Sequence, residues 1–224
     1  MATLKNYIEA WQKDYSEQSL KVPLFQNELT GNFSLIQKQK FVRHFYHIRG
    51  HFYKFLWLLG STATGSMAME MKKVILENIS EEFGRQKSHE QMYFDFANSL
   101  EVELIQSEVL DETSNVSFIK EFNQSHLEFI LNNQGSSAWA AFSAYEALDN
   151  LDYVNLLSLV SNWNLGSKAM TFYKVHAIAA HHQTTESILQ KIWEDDQESV
   201  KKSFTFIAGH QLKMWQNLYN QITE

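Results

Sequence analysis

Apolar residues recur at intervals of three and four along almost the whole chain. Leu4, Ile8 and Trp11 make one such stripe, and Phe41, Phe45, Ile48, Phe52, Phe55 and Leu59 make a longer one. A helix completes a turn every 3.6 residues, so this spacing gathers apolar side chains on one face. The same pattern predicts further helices at about 66–80, 89–101, 115–131, 136–148, 151–162, 167–193 and 197–222. No segment alternates polar and apolar residues for more than a few positions, as a half-buried strand does. The expected architecture is an all-α bundle of eight to ten helices, forming one domain over residues 1–224.

Composition agrees with long helices. Pro23 is the one proline, and there are 8 glycines in 224 residues, too little punctuation for a sandwich with a turn every ten positions or so. With 44% hydrophobic and 14% aromatic residues the chain has ample material for a core, and no repeat, low-complexity tract or linker divides it. A net charge of −7 argues against nucleic acid as a partner, because that binding rests on a basic surface. The absence of cysteine excludes disulfides, thiolate ligands and a cysteine nucleophile. The opening stretch "MATLKNYIEAWQKDYSEQ" has no basic-then-apolar leader, and no apolar run approaches the roughly 20 residues that cross a bilayer. A soluble, cytoplasmic protein with no membrane partner is expected.

Several helix ends can be read. Ser88 followed by Gln91 has capping-box spacing, which makes His89 the first residue of a helix, and Gly84 suits the end of the helix before it. Glu82 and His89 then flank the short connection "FGRQKS". Asn32 or Ser34, and Ser136 or Ser137, are further candidate N-caps.

Three groups of residues carry candidate chemistry. The face of Glu146 continues through Trp139, Phe142 and Ser143 within the small-residue stretch "SSAWAAFSAYEAL". A carboxylate there is costly unless it is paired, hydrogen-bonded by a Tyr or Trp, protonated or bound to a metal. In "HAIAAHHQ", residues 176–183, His176 shares a face with Phe172, Tyr173, Ala179 and Ala180, and its i+4 and i+7 neighbours are Ala180 and Gln183. His181 and His182 fall well over about 100° away around the helix and look elsewhere. His176 is then either a hydrogen-bonded core residue or a ligand. Finally, Lys40, His44, His47, His51 and Lys54 share a face beside the Phe41/Phe45/Ile48 stripe, a ribbon about 20 Å long at about 1.5 Å per residue. It is a candidate face for an anionic ligand or acidic partner, or else the solvated flank of a bundle helix.

The stretches "ENISEEFGRQKSHEQMYFDFANSLEVE", "AFSAYEALDNLDYVNLLSL" and "TFYKVHAIAAHHQ" together resemble the heme-oxygenase-like diiron oxidases. That group contains the CADD-like proteins and lies near the PqqC (PQQ-synthesis oxidase) and TenA families; order and spacing agree over roughly residues 35 to 190. The resemblance implies a heme-oxygenase-like helical bundle and puts Glu82, His89, Glu146 and His176 at metal-ligand positions. It also shows a departure: the Asp and final His of the H-x3-D-x2-H motif are Ala180 and Gln183 here. Two carboxylates and two histidines suit Fe(II) or Mn(II), but a second iron loses its own histidine and a carboxylate. The implied cofactor is one Fe ion or none. Heme is not expected, because the first histidine, His44, comes after the opening helices.

Three functional expectations follow. The first is an iron-dependent oxidase or oxygenase with an incomplete diiron site, acting on a small organic substrate. The second is a metal-free PqqC/TenA-like enzyme or ligand-binding protein, although the cysteine nucleophile of TenA-type thiaminases is missing. The third is a non-catalytic interaction protein on the same scaffold. By analogy with proteins of this fold a homodimer or homotetramer is expected, with Trp57, Trp163 and Trp215 as interface or core residues.

Overall fold

A computed structural model of the chain describes residues 3–84, 86–111, 116–178 and 184–224, the side chains of 110 and 111 excepted. The elements are α1 (Leu4–Ser19), a 3₁₀ turn (Pro23–Phe25), α2 (Asn27–Thr30), α3 (Leu35–Arg49), α4 (Phe52–Thr62), α5 (Ala68–Phe83) and α6 (His89–Asn98). They continue with α7 (Gln106–Asp111), α8 (Ser117–Asn132), α9 (Ser136–Ser161), α10 (Thr171–Ile178), α11 (Glu186–Asp195) and α12 (Gln197–Thr223). Among the described residues there is no strand, and no helix long and apolar enough to cross a membrane.

Helix α9 forms the axis of the bundle. Its 26 residues span about 39 Å, and its alanine-rich first half is buried on every side: Ala138, Trp139, Ala140, Ala141, Phe142 and Ala144 all lie in the core. A helix apolar all round belongs inside a protein, and small side chains let α12 and α10, its main neighbours, approach closely. Two helices were expected here, over 136–148 and 151–162. They are one, because the polar pair Asp149–Asn150 contains neither proline nor glycine and continues the helix.

The long stripe of Phe41 to Leu59 divides instead. α3 stops at Arg49, and Gly50 and His51 form a turn before α4. A Cβ on Gly50 would sit 2.5 Å from Val109 Cγ1, so this glycine lets α7 pack against the joint. Ser34 caps α3 with a full capping box, whereas α9 starts after Gly135 (φ 74°) with no side-chain cap, so neither Ser136 nor Ser137 plays that role. The expected 167–193 helix is represented by α10 and α11; residues 179–183 between them lie outside the described residues. Trp163 and Trp215 are core residues, and Trp57 is 61% exposed.

One buried carboxylate ties the bundle together. Asp152 of α9 accepts hydrogen bonds from the Tyr15 hydroxyl of α1 (2.8 and 3.0 Å) and from Trp215 Nε1 of α12 (3.0 Å). Burial pushes its pKa up to about 7 from 3.8, and the two donors only partly offset this. The folded state therefore holds this proton more tightly than the unfolded chain. Its contribution to stability falls as pH rises from about 4 to about 7 and is level above that. Asp152→Asn removes the titration, so the stability of this variant relative to the wild type rises between pH 4 and 7 and then flattens. Urea midpoints across that range check this; a pH-independent difference would contradict it.

Candidate metal centre

The turn between α5 and α6 assembles the centre. α5 ends at Phe83, and Gly84 follows with φ 62° and ψ 167°, a conformation essentially confined to glycine. Space is equally restrictive, since a Cβ on Gly84 would lie 2.2 Å from the Lys87 carbonyl oxygen. Ser88 then caps α6 as expected: its Oγ accepts from the Gln91 amide at 3.1 Å, and Gln91 Oε1 accepts from the Ser88 amide at 3.0 Å. His89 is the first helical residue. The tight turn and the cap bring His89 Nδ1 to 3.0 Å from Glu82 Oε1.

His176 reaches the same point from α10. Its Nδ1 donates to the Phe172 carbonyl at 2.7 Å, which leaves Nε2 as the nitrogen with the lone pair. Stacking on Tyr153, 4.3 Å between ring centroids, orients the imidazole, and the His89 ring lies 4.4 Å away. Donor atoms of Glu82, His89 and His176 all lie within 4.8 Å of one another. Two histidines and one carboxylate make a donor set that would suit non-heme Fe(II).

Glu146 stands beside this triad but outside its 4.8 Å circle. Only 3% exposed, it lines a polar cavity of about 30 Å³ together with Arg49, Asn78, Glu82, Asp149, Tyr153 and His176. That space holds an ion or a water but no organic molecule. The carboxylate of Glu146 makes no hydrogen bond or ion pair among the described residues. A buried charge in that position calls for a proton or a cation.

Electrostatics separate the acids. Burial works against the charge of Glu82, but the hydrogen bond with His89 and the nearby Arg49 guanidinium outweigh it and hold the pKa at about 2. Burial raises Glu146 well above the carboxylate range, with Asp149 and Glu82 adding repulsion. Burial also raises Asp149, with Asp152 and Glu82 contributing. Burial, then the neighbouring His89, lowers His176 to about 3, so it is a neutral, ligating imidazole at pH 7. A cation here would relieve the repulsion among three acids.

Two residues of this site escaped the sequence reading, and both left a signal. Asp149 follows Glu146 by three positions and so shares its face. Arg49 lies four residues after Phe45 and three before Phe52, a charge on an apolar stripe. It donates from Nη2 to Glu82 Oε2 at 3.3 Å, its side chain is 11% exposed, and its guanidinium lies 4.8 Å from the Phe172 ring centroid. Ala180 and Gln183 lie outside the described residues, as do His181 and His182.

The Lys40/His44/His47/His51/Lys54 face does not lie open. His47 and His51 are buried, and α3 packs against α8, where Asn123 Nδ2 donates to the His47 carbonyl at 3.5 Å. Burial, then the neighbouring His47 and Lys40, lowers His44 to about 4 and leaves it uncharged at pH 7. Lys40 and Lys54 are half-buried at the two ends.

A second, larger cavity of about 310 Å³ adjoins the first across the Arg49–Glu82 pair. Phe52, Tyr53, Leu56, Trp57, Ile79 and Phe83 give it an apolar wall, and Ser88, Glu90 and Gln106 add polar groups. This volume suits a small organic ligand.

The fold is that of the heme-oxygenase-like helical proteins, and comparison with solved structures shows it directly. A CADD-like protein of unknown function from Nostoc punctiforme superposes with a TM-score of 0.72 at 18% identity, covering 97% of this chain and 96% of that one. A domain of unknown function with a heme oxygenase-like fold from Shewanella denitrificans gives 0.75 at 15% identity, covering 100% and 94%. A TenA homologue from P. horikoshii gives 0.64 at 10% identity, covering 98% and 100%. No curated protein matches the chain. The chain belongs to the family described as iron-containing redox enzyme, which it matches over residues 39–213.

Gly84 sets the Glu82–His89 contact, so Gly84→Ala tests the assembly of the site. The substitution strains both φ and the approach to Lys87 and costs about 1–3 kcal/mol of stability. Thermal unfolding should show a lower midpoint, and NMR of the His89 ring should show the loss of its contact with Glu82. Unchanged stability would mean the turn is not strained by a side chain.

Proposed function

We propose that the protein is an iron-dependent oxidase or oxygenase that holds one metal ion at Glu82, His89 and His176 and acts on a small organic substrate in the adjoining 310 Å³ cavity. The observation that carries this reading is the convergence of three donors from α5, α6 and α10 within 4.8 Å. The buried Glu146 beside them, without a hydrogen bond or ion pair among the described residues, supplies a further negative charge to balance or bind the cation. The donor chemistry fits: neutral imidazoles and carboxylates suit Fe(II). Iron bound there supplies one-electron chemistry with molecular oxygen.

The protein's own residues do the rest. Phe172 and Tyr153 fix the His176 ring, the first through its carbonyl and the second by stacking. Arg49 and His89 keep Glu82 ionised. His89 Nδ1 lies 3.0 Å from Glu82 Oε1, so each of these two side chains positions the other. Tyr53, Leu56, Trp57 and Phe83 take the apolar body of the substrate and keep water from the triad. With Ala at 180 and Gln at 183, the reading is of a diiron site reduced to a single ion.

One observation favours a metal-free alternative on the same scaffold. Arg49 and His89 already satisfy Glu82, so the site needs no ion to hold this residue's charge. Small-molecule binding that survives a chelator would support it.

Loading the chelator-stripped protein with Fe(II) without oxygen should give one iron per chain by elemental analysis. His176→Ala should weaken that binding by about 100-fold or more, beyond the usual cost of disturbing an outer partner. Saturating iron at about 100 times its Kd should stabilise the wild type by about 2.7 kcal/mol. Iron at background level in the wild type would end the oxidase reading.

A further inference from the structure

Resting on that reading, the position of Arg49 says how many ions the site takes. A carboxylate shared between two cations gives each of them one oxygen. The two oxygens of Glu82 are both engaged: Oε1 faces His89 within the triad, and Oε2 accepts from Arg49 Nη2 at 3.3 Å. The guanidinium therefore sits on the oxygen that would bridge to a second ion.

Its surroundings treat it as a charge more than as a hydrogen-bonding fork. It lies over the ring faces of Phe172 (4.8 Å) and Tyr93 (5.6 Å), an arrangement that holds a cation by ring electrostatics. Its Nε is buried with no acceptor among the described residues. On the other side it lines the small polar cavity with Glu146 and Asp149, acids that make no hydrogen bond or ion pair among the described residues. The group most available to balance Asp149 and the second oxygen of Glu82 is this arginine. It comes from α3, which contributes no residue to the metal triad.

We propose that the Arg49 guanidinium is the second cation of the site: it occupies Glu82 Oε2 and the space beside Asp149, and so limits the site to one divalent ion. The arginine and the loss of donors at positions 180 and 183 fit together. With a permanent cation built into the chain, the side chains that would hold a second metal have no ion to bind. The arrangement also explains why a buried arginine is kept on an apolar stripe.

Mn(II) titration of the whole chelator-stripped protein, followed by the EPR signal of the free aquo ion, tests this. The wild type should take up one ion per chain, as should Arg49→Lys, which keeps the charge. Arg49→Gln and Arg49→Met, made in parallel so that one folded variant by circular dichroism suffices, should take up two. Adding Asp149→Asn to either should return the count to one. A count that stays at one when Arg49 is neutralised overturns the proposal and leaves the oxidase reading standing. Two ions in the wild type also overturn it, and no ion in the wild type removes both readings together.

Discussion

The constraint on which the structure depends is the burial of more negative charge than a helical core normally accepts. α9 carries Glu146, Asp149 and Asp152 at intervals of three along its inward side, and α5 adds Glu82. Two like charges about 4 Å apart repel by about 4 kcal/mol at an effective dielectric of about 20, against a typical domain stability of about 5–15 kcal/mol. Such a cluster survives only where each acid has an answer. Asp152 has neutral donors, Tyr15 and Trp215, which double as ties between α1, α9 and α12. Glu82 has Arg49 and His89. Glu146 has neither among the described residues, and Asp149 makes no hydrogen bond or ion pair there, only lying near Arg49. Asp152 serves the fold and Glu82 the candidate metal triad, while Glu146 and Asp149 are kept at a cost that the fold alone does not explain.

The histidines follow the same logic with opposite sign. Burial makes a charged imidazole expensive, so His176 is held neutral at about 3. The carbonyl of Phe172 then decides which nitrogen carries the remaining proton. A buried site that holds the His176 imidazole neutral and its acids close together differs from water mainly in what it offers a cation. Sequence, packing and electrostatics meet here: Gly84 permits the turn, the turn places His89, and the core around α9 supplies the low dielectric.

How far the sequence alone could show this depends on the kind of signal involved. Local signals were readable: the Ser88–Gln91 cap, the stop at Gly84, and the inward face of His176 all arise from residues a few positions apart. Long-range ones were not. That Arg49 bonds to Glu82, 33 residues away, is set by how α3 packs against its neighbours. Helix ends were read poorly where the cue was a tertiary approach, as at Gly50, or where polar residues stay helical, as at Asp149 and Asn150. The ribbon of Lys40 to Lys54 shows the limit of periodicity: it shows which residues share a face but not whether that face meets water or another helix. The buried His47 and His51 show that α8 covers it.

The Arg49–Glu82 pair also divides the interior into two compartments of different size. About 30 Å³ lies on the side of Glu146, Asp149 and His176, and about 310 Å³ on the side of Trp57 and Phe83. The first is too small for anything but an ion or a water, and the second is mostly apolar and large enough for an organic molecule. Both share Arg49, Phe52 and Glu82 as a common wall. Any reaction between an ion on one side and a molecule on the other has to pass this wall at Glu82, the residue that both cavities and the triad have in common. The exposed Trp57 and Phe83 at the outer wall mark the solvent side of the larger space. From that side the cavity presents apolar surface first and charge last, an order that would strip water from any molecule before it reached the carboxylate.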